Sequence, residues 1–335
     1  MALEAKTQAF VEALAAKGGP PLYTLTPQAA RKVLLDLQSQ GGAKPEAAIE
    51  DRILQTTAGD VSVRIVRPVG ASRMLPAVLY LHGGGWILGD ATTHDRLIRT
   101  LARDADVAVV FVNYPPSPEA HYPTALEQAL GAASYVQANG KELNLDGARL
   151  AIAGDSVGGG LAAAATILAK ERGGPRFVHQ LLFYPVTDAS FDTPSYQQFA
   201  DGPWLTRAAM KWFWDAYLPD KSARAQPGAS PLRASREQLT GLPPALVITD
   251  ANDVLRDEGE AYATKLMEAG VDVVATRYLG TIHDFMMLNA LAETPAVRGA
   301  IAQAVDTLRR AFAPTARPAQ VTMLPEAGEK APRTP

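Results

Sequence analysis

Charged and apolar positions interleave over residues 1–17, with Glu4, Lys6, Glu12 and Lys17 set against Leu3, Phe10, Val11 and Leu14. That spacing predicts an amphipathic helix, not the basic start and apolar block of an export signal. Gly18, Gly19, Pro20 and Pro21 end it, and a second helix is expected from about Pro27 to Gln40, stopped by Gly41 and Gly42. From about Ile49 the period changes. Val61, Val63 and Ile65 alternate with Ser62 and Arg64, the mark of a half-buried strand. Uninterrupted apolar runs follow at Ala77–Leu81, Val107–Val112, Leu150–Ala153, Gln180–Tyr184 and Ala245–Thr249. Such runs suit parallel strands covered on both faces. Between them lie helix-like stretches at Pro123–Asn139, Val157–Arg172 and Asp257–Gly270. The alternation predicts an α/β fold: a mostly parallel central sheet, helices on both faces, right-handed crossovers.

One insertion interrupts the alternation. After a strand ending near Pro185 the next begins only near Pro244, and the gap holds a predicted helix from about Thr206 to Leu218. Its Met210, Phe213, Trp214 and Tyr217 recur at i, i+3, i+4, i+7 and share one face. That face either packs on the sheet or forms a lid that lines a substrate pocket. Residues 314–335 carry five prolines and few apolar side chains, and are expected to be a disordered tail.

With 47% apolar residues in 335, the chain can close a core. Its 32 basic and 35 acidic residues give a net charge of −3, which supplies no electrostatic footprint for nucleic acid. There is no cysteine, so disulfides, thiolate metal sites and cysteine nucleophiles are excluded. No apolar run approaches the ~18 residues of a membrane span. A cytoplasmic protein without a membrane anchor is expected.

Candidate chemistry is concentrated in a few turns. Gly154-Asp155-Ser156-Val157-Gly158 fits G-x-S-x-G between a predicted strand and an Ala-rich helix. There a serine sits exposed on a sharp turn, beside the partial positive charge of a helix N-terminus. His82-Gly83-Gly84-Gly85-Trp86 follows directly on another strand. Three glycines cost backbone entropy, and bare N–H groups approaching a substrate would justify them. His82 reads as a structural residue pinning that loop, because the expected chain order in this arrangement is serine, acid, histidine. His283 follows the strand Val273–Tyr278 at its carboxyl end, where sites form in open α/β sheets, whereas His179 enters a strand at the opposite end. For the acid, Asp250 and Asp253 compete on pattern alone; Asp257 and Glu258 read as the first turn of the next helix.

These motifs, in this order, resemble the hormone-sensitive-lipase family of α/β-hydrolase esterases, bacterial type, over about residues 45–312. The resemblance implies an α/β-hydrolase fold with a helical cap. It divides the chain into an N-terminal cap segment (1–48), a first part of the core (49–187), a cap insertion (188–240), a second part of the core (241–313) and the tail (314–335). It implies Asp253 as the acid beside Ser156 and His283, and an oxyanion hole built from the N–H groups of Gly84, Gly85 and Val157. Substrate contacts are expected from Trp86, Trp204, Phe213 and Trp214. The chain departs from the family at Asp284, where Gly usually follows the histidine, at Pro115-Pro116, and at Asn252 before the acid.

The expected activity is hydrolysis of short- to medium-chain carboxylic esters through an acyl-enzyme. No cofactor or metal is expected; the five histidines lack H-x-x-x-H spacing. The partner is a small-molecule ester, with homodimer formation left open. Acyl transfer, or amide or lactone hydrolysis, is the alternative on the same triad. A non-catalytic small-molecule receptor is the alternative of another class, and the retained His283 argues against it.

Overall fold

The computed structural model describes residues 2–313; the predicted tail at 314–335 lies outside them. Eight strands form one sheet in the order β1-β2-β4-β3-β5-β6-β7-β8. They are β1 (Ala48–Thr56), β2 (Gly59–Arg67), β3 (Leu75–Leu81), β4 (Ala108–Val112), β5 (Leu145–Asp155), β6 (Gln180–Phe183), β7 (Ala245–Asn252) and β8 (Val273–Ile282). β2 pairs antiparallel with both its neighbours, and every other pair is parallel. The apolar runs predict the central strands well: β3 and β4 are buried along their whole length. The edge strands β1 and β8 are instead mostly exposed or half-buried. β1 shows one buried position, Leu54, and went unrecognised because Glu50, Asp51 and Arg52 interrupt its apolar residues.

Helices cover the sheet: α1 (Ala5–Lys17), α2 (Pro27–Gln38), α3 (Asp95–Ala105), α4 (Thr124–Asn139), α5 (Val157–Glu171), α6 (Pro194–Gln198), α7 (Arg207–Tyr217), α8 (Arg236–Leu239), α9 (Arg256–Glu268) and α10 (Pro295–Ala311). Thr26, Thr206 and Thr294 cap α2, α7 and α10 by accepting a first-turn N–H. α3 and α10 go beyond the helices predicted from sequence. No helix among the described residues is long and apolar enough to cross a membrane.

Topology places the site. From β3 the chain crosses to β4 on one side and returns to β5 on the other, so the strand order reverses between β3 and β5. The carboxyl ends at such a switch point leave a crevice. Leu81 and Gly154 lie opposite each other in the β3–β5 register. The glycine loop after β3 and the serine turn after β5 therefore leave adjacent strands at the same level.

Candidate active site

Ser156 connects β5 to α5 with φ 54° and ψ −123°. A side chain held at positive φ costs ~1–3 kcal/mol, so packing must impose the turn. A Cβ on Gly158 would sit 2.0 Å from the Leu81 carbonyl oxygen, and one on Gly154 2.3 Å from the Gly158 oxygen. Only bare backbone fits at either position. Beneath the turn, the buried Asp155 accepts from Tyr80 Oη at 2.8 Å and from His94 Nε2 at 3.2 Å. Burial opposes both charges, yet their mutual attraction prevails, holding Asp155 below and His94 above its ordinary pKa. Sequence reasoning passed over this pair. Its members lie 61 residues apart and neither spacing nor motif links them.

The loops after β7 and β8 bring an acid and a base to the serine. His283 Nε2 is 2.8 Å from Ser156 Oγ, and His283 Nδ1 is 2.7 Å from Asp253 Oδ2. An ionised carboxylate can only accept, so Nδ1 carries the proton and donates to Asp253. Nε2 is then free to accept from the serine hydroxyl. Asp253 Oδ1 also accepts the Leu255 N–H at 3.1 Å. Asp250, the rival from sequence, stands 3.9 Å from Nδ1. Asn252 Nδ2 donates to the Thr281 carbonyl at 2.9 Å and ties the acid loop to the base loop.

Burial disfavours the His283 charge, but Asp253 first and Asp284 second outweigh it and raise the pKa to about 9. Asp284 is half-buried, with Oδ1 3.5 Å from His283 Nε2 and Oδ2 accepting from Trp204 Nε1 at 3.0 Å. A base must be neutral to take a proton, so kcat/KM should climb with pH into the alkaline range. Asp284→Gly removes one of the carboxylates that stabilise the imidazolium. The acid limb of the pH profile of kcat/KM should move to lower pH in that variant, and an unmoved limb would show that Asp284 does not act on the base.

Gly84 and Gly85 line a cavity of about 480 Å³ together with Ser156, His283 and Asp284. A Cβ on Gly85 would overlap the Phe213 ring at 2.1 Å. The N–H groups of Gly84, Gly85 and Val157 donate to no backbone acceptor among the described residues. His82 anchors the loop base. It stacks on Tyr114 at 4.1 Å, its carbonyl accepts from Tyr114 Oη at 2.6 Å, and burial pushes its pKa down to about 4. It is thus neutral, and its Nδ1 meets the Gly83 carbonyl and Tyr114 Oη, not the serine.

The cavity wall comes from both helical segments: Leu14, Leu34 and Leu37 from the N-terminal pair, Trp204, Met210 and Phe213 from the insertion. Phe10 of α1 meets Trp204 at 5.8 Å. Two of the expected substrate contacts are not among the residues that line this cavity. Trp86 and Trp214 are buried away from the cavity, Trp86 stacked on Tyr217 at 4.0 Å and edge-on to Trp214 at 4.9 Å. Adjacent positions on a helix point about 100° apart, so Phe213 faces the cavity while Trp214 faces the core.

An α/β-hydrolase-fold family model matches residues 78–287. A carboxylesterase of Mycobacterium tuberculosis is 37% identical over 288 residues, 85% of this chain and 89% of that protein. An ethyl acetate hydrolase of Pseudomonas putida is 37% identical over 284 residues, 82% of this chain and 87% of that one. The solved structure of a thermostable esterase from Pseudomonas putida matches with TM-score 0.91 and 52% identity, covering 92% of this chain and 97% of that one.

Proposed function

The chain belongs to the hormone-sensitive-lipase type of α/β-hydrolase carboxylesterases, and from that premise we propose that it cleaves short- to medium-chain esters with Ser156, His283 and Asp253. Ester hydrolysis is its activity; the residues, the chain length and the cap are our reading. One observation carries it: the unbroken hydrogen-bonded line from Asp253 through His283 to Ser156, at 2.7 and 2.8 Å, on the floor of a walled apolar cavity.

Ser156 Oγ attacks the ester carbonyl while His283 Nε2 takes its proton. The carbonyl electrons move onto oxygen, and the N–H groups of Gly84, Gly85 and Val157 receive that charge; one such donor is typically worth roughly 3–4 kcal/mol. As the C–O bond breaks, His283 returns the proton to the departing alcohol. Water then repeats the sequence on the acyl-serine, releasing the acid and restoring Ser156. Residues 1–48 and 188–240 act together as the cap, since both contribute apolar side chains to the cavity wall. The cytoplasmic location inferred from residues 1–17 remains part of the proposal. That segment is built into the fold, its Glu4 N–H donating to the Gly280 carbonyl at 3.0 Å.

A panel of aryl esters from acetyl to long-chain, with Ser156→Ala as blank, tests the reading. Each acyl methylene gains roughly 0.8 kcal/mol while it is buried. The gain ends where the chain meets Phe213 and Trp204. kcat/KM should peak at short or medium chains and then fall; a profile still rising at long chains would overturn the bounded pocket. Phe213→Ala should move the peak to longer chains. Trp214→Ala should leave the peak in place and lower stability by roughly 3–5 kcal/mol, read as a drop in melting temperature.

A further inference from the structure

The cluster at the acid end of the triad holds one carboxyl too many. Asp250 lies near the end of β7, opposite Tyr278 of β8, and is completely buried. Neither of its side-chain oxygens receives a hydrogen bond from any described residue. A buried carboxylate without a donor pays the full cost of desolvation. One of its oxygens, one of Asp253 and a ring nitrogen of His283 lie within 4.8 Å of one another. The Nδ1 proton is already given to Asp253 at 2.7 Å, and Asp250 Oδ2 stands off at 3.9 Å. Two ionised carboxylates cannot share such a site.

We propose that Asp250 is a positioning residue, held as the neutral carboxylic acid, whose O–H donates to the Asp253 carboxylate and keeps that carboxylate on His283 Nδ1. A neutral carboxyl gives one of the two orphaned Asp250 oxygens a partner without burying a second charge. A protonated carboxyl has one O–H to give, and the Asp253 carboxylate has lone pairs beyond those taken by His283 Nδ1 and the Leu255 N–H. The surrounding charges agree in direction. Burial first, then the charges of Asp253 and Asp284, push the Asp250 carboxyl well above the ordinary range. The titratable groups facing it are Asp253, Asp284, His283 and the buried Tyr184, whose ring stands edge-on to His283 at 5.0 Å. A second donor on Asp253 fixes the rotation of its carboxyl, and small misplacements of a catalytic group are costly.

The inference rests on the triad proposed above, so Asp253→Asn is measured in parallel. Asp250→Asn keeps an N–H donor toward Asp253 and should retain kcat within about threefold. Asp250→Ala has no donor and should lose kcat roughly tenfold to hundredfold with KM unchanged. If the alanine variant does not fold, Asp250→Leu replaces it. Infrared difference spectra of wild type against Asp250→Asn at neutral pH should show a protonated-carboxyl C=O band lost with the substitution. The band of Glu258, another buried carboxyl pushed upward by burial, should stay. Asparagine and alanine variants equally impaired, an alanine variant as fast as wild type, or no band lost would each overturn the proposal. So would activity abolished by EDTA and restored by a divalent cation, since a metal bridged by this cluster needs Asp250 ionised. A fully active Asp253→Asn would instead overturn the triad itself.

Discussion

Replacing Ser156 by alanine should lower kcat for a short aryl ester by about 10⁶-fold, the scale of nucleophile removal in comparable triads. An organophosphate should stop the wild-type enzyme with a single adduct on Ser156, located by mass spectrometry of the digested protein. The expectation follows from what the buried serine hydroxyls are doing. Ser117, Ser195 and Ser230 donate to the backbone carbonyls of Ala120, Val254 and Arg224 at 2.8, 2.7 and 2.6 Å. Such hydroxyls are locked into structure and have no base to take their proton. Ser156 Oγ instead meets an imidazole at 2.8 Å and lines the cavity. It also precedes α5, whose first-turn N–H groups favour the negative charge that forms after attack. Adduct on another serine, with activity lost, would refute the assignment.

What was legible in the sequence depended on how local its physical cause is. The central strands announce themselves because a strand covered on both faces needs apolar residues at every position, as in Leu75–Leu81. The turn around Ser156 is legible because steric exclusion at Gly154 and Gly158 leaves a mark at fixed spacing. α3 carried its own signal in Leu97, Ile98, Leu101, Ala102 and Ala105, all buried, but Asp95, Arg96, Arg99, Arg103 and Asp104 masked it. Two of those charges, Asp95 and Arg96, are internal to the fold, and Arg96 donates to Asn289 Oδ1 at 2.9 Å and to the Met286 carbonyl. The aromatic stripe on α7 was visible, while the side each ring faces was not. Periodicity groups Phe213 with Trp214 and Tyr217; only the partner surfaces separate them, cavity for the first and Trp86 for the others. Long-range polar pairs leave no periodic trace at all. Asp155 with His94, Trp204 with Asp284, and Asn252 with Thr281 exist only once the sheet brings distant loops together. The choice between Asp250 and Asp253 belongs with these, since three residues of chain separate candidates that differ by 2.7 against 3.9 Å to one nitrogen.

Asp253→Asn should lower kcat by roughly 10⁴-fold, the loss seen when the acid of a comparable triad becomes an amide. The reason is tautomeric. His283 Nδ1 donates to the Asp253 carboxylate, which leaves Nε2 bare to receive the Ser156 proton. An amide can turn its NH₂ toward Nδ1, stabilising the form with the proton on Nε2, and that form cannot act as base. KM should change little, because Asp253 is buried behind the imidazole and is not among the cavity-lining residues. The residual activity should carry a second signature. Asp253 is the strongest of the charges that lift the His283 pKa against burial, so without it the imidazole titrates lower. The acid limb of the residual kcat/KM should therefore shift toward lower pH. Asp250→Asn, measured alongside, should leave both the rate and the limb close to wild type. The reverse ranking, with Asp250→Asn the more damaging, would assign the acid to Asp250 and reduce Asp253 to its support.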